Sequence, residues 1–405
     1  MLKFYSLSAI VGMTVACHAE RFTLESAVPY ALKHNADLAA ARFSIDEARG
    51  RLLGAGRLAN PELETELRPN VRRREISFGV GFVQKFPLTN RLRLEKAVSQ
   101  AELATAEAEV RAAELKLSHA VRVAGVKLLS LKGSRDLKEK QIANSKELAA
   151  TAAKIAAQAE GPELDASLLE LDAQQLALAL LQLDGERATL EGELRPLLGL
   201  SVAEELDLTG ELPEVTVPKS TTPDVQGRPD YQAAQSRLDA AQKGVSLAKA
   251  NKWADAGISI GAELERAEDA PDGLQNDGFV GIKFSLPLPF WNKNEGKIKE
   301  AQATVARAEK EAEALAANIR SEAAAALAEI KAARRIADET ANILLPKARE
   351  IEEKIAGLYK QAQPGTQLSD VLRFREKRLA LEQAKLDALR SYHLARIRFN
   401  AAMGH

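Results

Sequence analysis

Two stretches of strictly alternating apolar and polar residues occur twice along the chain, and each pair leads into a long segment whose apolar residues repeat every three or four positions. In the first copy Leu63, Thr65 and Leu67 alternate with Glu62, Glu64 and Glu66, and then Ile76, Phe78, Val80 and Phe82 alternate with Ser77, Gly79 and Gly81. Period two puts each set on one face of a strand. In the second copy Ile258, Ile260, Ala262 and Leu264 oppose Ser259, Gly261, Glu263 and Glu265; its return strand sets Val280, Ile282, Phe284 and Leu286 against Gly281, Lys283 and Ser285. The exit from each pair is also repeated. SFGVGFVQKFPLTN, ending at Asn90, aligns with the 278–296 stretch GFVGIKFSLPLPFWNKNEG, with Phe82 on Phe284, Pro87 on Pro289 and Asn90 on Asn292.

Helices fill the rest. Residues 21–57 read as an amphipathic helix interrupted near 35–37, and residues 228–252 are its counterpart, with Asp37 on Asp230 and Ala48 on Ala241. Residues 90–158 carry a seam through Val110, Ala113, Leu117, Val121, Ala124, Leu128 and Leu131, whose spacing of about 3.5 is that of a coiled coil. Residues 292–361 do the same through Ala301, Val305, Ala308, Ala312, Leu315, Ile319, Ala323, Ala326 and Ile330, with Pro346 expected to kink the span. Each long helix of ~100 Å meets a turn, at 159–165 and 361–370, and a second helix returns toward the strands. The expected organisation is a first repeat at 20–208, a Pro-rich linker at 209–227 and a second repeat at 228–405.

Composition narrows this picture. Only 4% of residues are aromatic while 28% are charged, which suits long helices packed side by side better than a thick core. A net charge of -1 supplies no field for nucleic acid, so no nucleic-acid partner is expected. Residues 1–19 have the basic start, apolar middle and small-residue end of an export signal, with cleavage after Ala19 or lipidation of Cys17 as the two readings. A mature chain with no cysteine pair is held by no disulfide. No stretch beyond the signal reaches the ~18 apolar residues of a membrane helix.

An exported chain whose four strands are apolar on one side and acidic or small on the other suits the wall of an outer-membrane barrel; a soluble hairpin core is the alternative. Four strands cannot close a barrel, and open edges in lipid are costly, so several chains would share one. Trp253 before one strand, and Phe290 and Trp291 after its partner, stand where interfacial aromatics belong. The loops at 68–75, with Arg72, Arg73 and Arg74 consecutive, and at 266–277 would face the exterior.

With this layout the chain resembles the TolC family of outer-membrane efflux ducts over nearly its whole length after the signal. The resemblance is carried by Gly227-Arg228-Pro229-Asp230 before the alanine-rich helix, the doubled strand pair, Leu344-Leu345-Pro346, and Gly365 followed by Ser369-Asp370-Val371-Leu372. The segment 286–296 is similar to the PLPLF-x-x-N-x-G pattern of the CzcC-like branch, which serves heavy-metal efflux, with Trp291 and Glu295 as departures. The resemblance implies a mainly α fold with a small β part, in which a homotrimer builds a twelve-stranded β-barrel continued by an α-helical barrel in the periplasm. It implies a passive exit duct in the outer membrane of a Gram-negative bacterium, docked to a periplasmic adaptor and an inner-membrane pump of the RND type. Divalent heavy-metal cations are the cargo that the branch suggests.

The same resemblance places acidic rings at the narrow periplasmic end just after the second turn, at Asp370, with Arg373 where a second acid is common. Asp370, or Ser369 beside it, also suits the N-cap of the returning helix. Glu62, Glu64, Glu66, Glu263 and Glu265 would line the barrel lumen, or face solvent on an ordinary strand. The tips, Gly161, Pro162, Glu163 and Leu164 in one repeat and Pro364, Gly365, Thr366 and Gln367 in the other, are the candidate adaptor contacts, or simple turn chemistry. His34, His119, His393 and His405 are scattered, so no metal or cofactor site is expected, and nothing in the pattern suggests an enzyme. A periplasmic coiled-coil adaptor or scaffold is the competing class; it would lack the duplicated strand pair.

Overall fold

The computed structural model describes residues 20–69, 75–159, 163–202, 204–212, 215, 223–269, 273–361, 363 and 367–404. The expected signal, the Arg72–Arg74 run, Gly161, Pro162, Pro364, Gly365, Thr366 and His405 lie outside these residues. The chain forms two compact units, one from residues 40–113 and 224–319, the other from 1–39, 114–223 and 320–405. Both repeats contribute to both units.

The first unit carries the four-stranded sheet, in the order β2 (Glu62–Pro69), β3 (Ile76–Phe86), β5 (Ala256–Asp269), β6 (Gly273–Ser285), antiparallel throughout. The two hairpins read from the sequence therefore pair with each other through β3 and β5. The same unit holds the bulk of α2 (Ala36–Gly54), α5 (Pro229–Ala250), and the starts of α3 (Arg91–Ala159) and α6 (Glu295–Glu339). Alanine lets these helices approach closely: Ala48, Ala101, Ala106, Ala108 and Ala233 are all buried. The strand-to-helix exits are tied down by polar groups. Arg91 bridges Glu95 and Asp255, each at 2.7 Å, so the exit of the first repeat is pinned to the second. At the matching exit Asn294 adopts a left-handed φ of 59° and donates through Nδ2 to the Ala248 carbonyl at 2.8 Å; asparagine tolerates that conformation better than most residues.

The second unit holds α1 (Leu24–His34), α4 (Glu163–Leu198), a π-helical turn (Thr340–Leu344), α7 (Leu345–Lys360), α8 (Leu368–Ala402) and the later parts of α3 and α6. The expected helix over 21–57 begins later than its pattern suggests. Residues Glu20–Phe22 form β1, parallel to β4 (Leu206–Leu208), a pairing too short for periodicity to reveal. Thr23 then caps α1 in a reciprocal box with Ser26. The interruption falls at Asn35, whose Oδ1 accepts the Leu38 N–H at 2.8 Å while Nδ2 donates to the Pro196 and Leu197 carbonyls at 3.1 and 3.2 Å. One buried amide thus starts α2 and satisfies the end of α4. Gly199 completes the joint with φ 76°; a Cβ there would sit 2.3 Å from the His34 carbonyl oxygen.

The seam of α3 is buried at Val110, Leu117, Val121, Ala124 and Leu128, and that of α6 at Ala312, Ile319, Ala323, Ala326 and Ile330. The expected kink at Pro346 takes the form of the π turn just before it, where the Leu345 N–H reaches back to the Thr340 carbonyl. Proline has no N–H and crowds the preceding turn, so widening to i→i+5 bonds relieves the clash upstream of the ring. Two clusters fill the unit: Ala326, Ile330 and Ala333 against Tyr392, Ala395 and Phe399, and Ala149, Ala152 and Leu169 against Leu368.

Candidate functional site

The sheet sorts its side chains into two chemically opposite faces. Register lines up Leu63, Phe82, Ile260 and Ile282 across four strands, then Thr65, Val80, Ala262 and Val280, then Leu67, Phe78, Leu264 and Gly278. Nearly all of this face is exposed in the single chain, with Ile260 at 56%, Leu264 at 65% and Val280 at 84%. An exposed apolar surface of this breadth has no place in water. It gives way to Arg266 and Asn276 on the row beyond Leu264, which marks one border.

The opposite face carries Glu62, Glu64, Glu66, Glu263 and Glu265 together, as expected from the alternation. Glu64 shares its row with Gly81, Gly261 and Gly281, and Glu66 shares its row with Gly79, Glu263 and the one large aromatic of this face, Phe279. Gly261 is the tight one of these glycines: a Cβ there would lie 2.8 Å from the Val80 carbonyl oxygen. Arg68 bridges Glu66 at 2.9 Å and Glu263 at 3.6 Å, and Lys85 meets Glu62 at 2.6 Å. Carboxylates outnumber cations on this face. The two outer strands, β2 and β6, each have one edge without a partner strand among the described residues. At the helix end of the sheet Phe290 and Trp291 pack edge to face at 6.2 Å, with Trp291 96% exposed, and Trp253 precedes β5 at the same end.

The second candidate region is the start of α8. Sequence reasoning gave its N-cap to Asp370 or Ser369; the structure gives it to Gln367, which has extended backbone and makes no side-chain cap bond. Gln367 is the one exposed tip residue of the second turn that is described with its surroundings; Glu163 and Leu164 are placed only as the opening of α4. Asp370 therefore lies in the first helical turn, where a carboxylate suits the exposed N–H groups, and pairs with Arg373 at 3.3 Å. The two residues singled out separately from the sequence form a single ion pair.

A turn further along lies a polar cluster that the sequence did not announce. Arg375, 3% exposed, donates to the Gln141 carbonyl of α3 at 2.7 Å and lies 3.9 Å from Asp172 of α4, which accepts from Ser145 at 2.6 Å. Burial pushes the Arg375 guanidinium below its ordinary range, with Asp172 opposing. Arg378 next to it bridges Glu352 of α7 and Glu382. An arginine in a helix rich in charge reads as part of a solvated face, so only tertiary placement could find it. Among the described residues no three His, Cys, Asp or Glu side chains are grouped as metal ligands, and no helix is long and apolar enough to span a membrane.

A doubled strand pair pooled into one antiparallel sheet, with each copy feeding a long helical hairpin, defines the fold of TolC-family outer-membrane channels. No family model matches the sequence. The chain is 21% identical over 338 residues to the cobalt-zinc-cadmium resistance protein CzcC of Cupriavidus metallidurans, covering 81% of this chain and 77% of that one. Its structure is similar to that of CusC (TM-score 0.77, 18% identity, 94% and 92% of the two chains). It is also similar to the outer membrane protein VceC of Vibrio cholerae (TM-score 0.75, 19% identity, 94% and 96%).

Proposed function

We propose that the chain is the outer-membrane exit duct of a tripartite efflux system, acting as a homotrimer in a Gram-negative envelope and extending into the periplasm. The observation that carries this reading is the sheet: an exposed apolar face continuous across four strands, backed by a carboxylate face, with two open edges. In lipid each open edge costs several kcal/mol per unsatisfied group. Pairing β6 of one copy with β2 of the next removes both, and three copies close twelve strands. The apolar face then meets outer-membrane lipid, Trp253, Phe290 and Trp291 sit at the periplasmic rim, and Glu62, Glu64, Glu66, Glu263 and Glu265 line the lumen.

Transport through such a duct is passive. Glutamates around the lumen and the Asp370 carboxylates around the far end favour cations, with Arg373 partly cancelling the latter. The similarity to CzcC, with the 286–296 segment, makes divalent metal cations the favoured cargo. The duct need hold no metal, because selection rests with the pump, for which the RND type is proposed. The turns at Gly161–Leu164 and Pro364–Gln367 are the proposed contacts for the periplasmic adaptor. The reading predicts that detergent extracts of outer membranes yield a trimer whose gel mobility changes on heating, and that it conducts ions in planar bilayers. A monomer recovered from the soluble periplasm would overturn it.

A further inference from the structure

In the second unit α4 carries glycines in mid-helix, Gly185 and Gly192, seven residues apart and in line with Leu171 and Leu178. Mid-helix glycine weakens a helix by about 1 kcal/mol relative to alanine, so its use there asks for a reason. The described residues supply none: a Cβ built on either glycine meets none of their atoms within 4 Å. At 100° per residue this line lies opposite the face through which Leu169, Leu194 and Leu198 are buried. It is α4's outward flank, with Leu171, Leu178 and Leu181 exposed along it.

On the other side of the same unit, α6, the π turn and α7 expose Ile336, Ile343, Leu344 and Leu358 beside the face that packs on α8. Contacts inside the chain fix relative heights. Asp172 of α4 is level with Ser145 of α3, Gln141 of α3 with Arg375 of α8, and Arg378 of α8 with Glu352 of α7. Counting along the helices from these ties brings Gly185 to the height of Ile343, and Gly192 to that of Ile336, within about three residues or ~4.5 Å, less than one helical turn. Leu358 falls near Leu171. The charges agree: exposed Glu170 comes level with exposed Lys360, and exposed Glu193 with exposed Arg335.

We propose that these two flanks are the faces by which copies of this chain join in the helical wall, α4 of one copy receiving Ile343 and Ile336 of the next into the gaps left by Gly185 and Gly192. This rests on the trimeric duct reading and names its helical contact. Rotation about an axis running along the helices changes no height, so residues level within one chain stay level between copies, and the contact is head-to-tail and closes as a ring. The glycines provide holes, the isoleucines knobs.

Disulfide trapping in the full-length protein tests this. Gly185→Cys with Ile343→Cys gives a covalent ladder ending at the trimer on oxidation. Either single variant, and the pair Gly185→Cys with Leu358→Cys, whose heights differ by ~20 Å, give none. A second readout uses opposite signs. Gly185→Leu raises the urea midpoint if the position is a solvated helix surface, because leucine is the better helix former, and lowers trimer stability if the hole is occupied. A trimer by size with no covalent product from the first pair, or a raised midpoint in Gly185→Leu, overturns this contact and leaves the duct standing. A monomer in detergent overturns the duct itself, and the contact with it.

Discussion

Replacing Ile260 with arginine separates a sheet in lipid from a sheet in water. Ile260 lies on β5 in the row of Leu63, Phe82 and Ile282, and is 56% exposed in the single chain. If water covers that face, the substitution loses less than half of a side-chain burial that is worth about 1.5–3 kcal/mol in full. The arginine stem recovers part of this by lying along its neighbours, leaving a cost below ~1 kcal/mol. If lipid covers it, an arginine near mid-depth costs about 2–4 kcal/mol per chain, and three chains in one barrel meet the cost together. Two controls fix the interpretation. Ser259→Arg, on the glutamate face, should cost little in either case. Leu264→Arg lies four residues along the strand, ~13 Å, next to the row of Arg266, where the lipid penalty falls to about 0–1 kcal/mol. The assay is urea-dependent folding into lipid vesicles, with the folded fraction read from heat-modifiable mobility. The expected order of destabilisation is Ile260→Arg well above Leu264→Arg, and that at or above Ser259→Arg. Equal tolerance at Ile260 and Ser259 would refute the lipid-facing assignment.

Further outcomes follow from close contacts and charge. Gly261→Ala forces a Cβ to within 2.8 Å of the Val80 carbonyl oxygen and should cost about 1–3 kcal/mol by overpacking, whereas Gly281→Ala meets nothing within 4 Å and should be nearly silent in the same folding assay. Tyr392→Ala empties a site that is fully buried against Ile330 and Ala333 and should lower the unfolding free energy by about 3–5 kcal/mol, checked by urea denaturation followed by circular dichroism. In bilayer recordings Asp370→Ala should weaken block by a divalent or larger cation at least about tenfold, since each carboxylate ~6 Å from a divalent ion in water contributes about 1.4 kcal/mol. An unchanged block would confine Asp370 to its pairing with Arg373 and to the first turn of α8.

What the sequence made legible is what repeats. Alternation at Leu63 to Leu67 and at Ile258 to Leu264 fixed strand faces because a period of two has only one reading over several residues, and the seams of α3 and α6 were equally explicit. The doubling of these signals gave the sheet its four strands, and the fold follows from them. The features that escaped are those built from single contacts across the chain. Residues Glu20–Phe22 are a strand only because Leu206–Leu208 lies beside them; Asn35 looked like a helix breaker, yet it is the joint that closes α4 as well as opening α2. Arg375 carries no sequence signal that separates it from the other charges of its helix, and its meaning appears only when Gln141 and Asp172 come within reach. Gly185 and Gly192 are the converse case: their positions were plain in the sequence, but no partner among the described residues explains them. A residue that lowers helix stability, meets no described neighbour beyond its own helix and stands within a turn of the height of an exposed isoleucine on the opposite flank is accounted for by a second copy rather than by its own fold. The knowledge missing from one chain is thus concentrated where that chain is incomplete, at the open edges of β2 and β6 and along the outward line of α4.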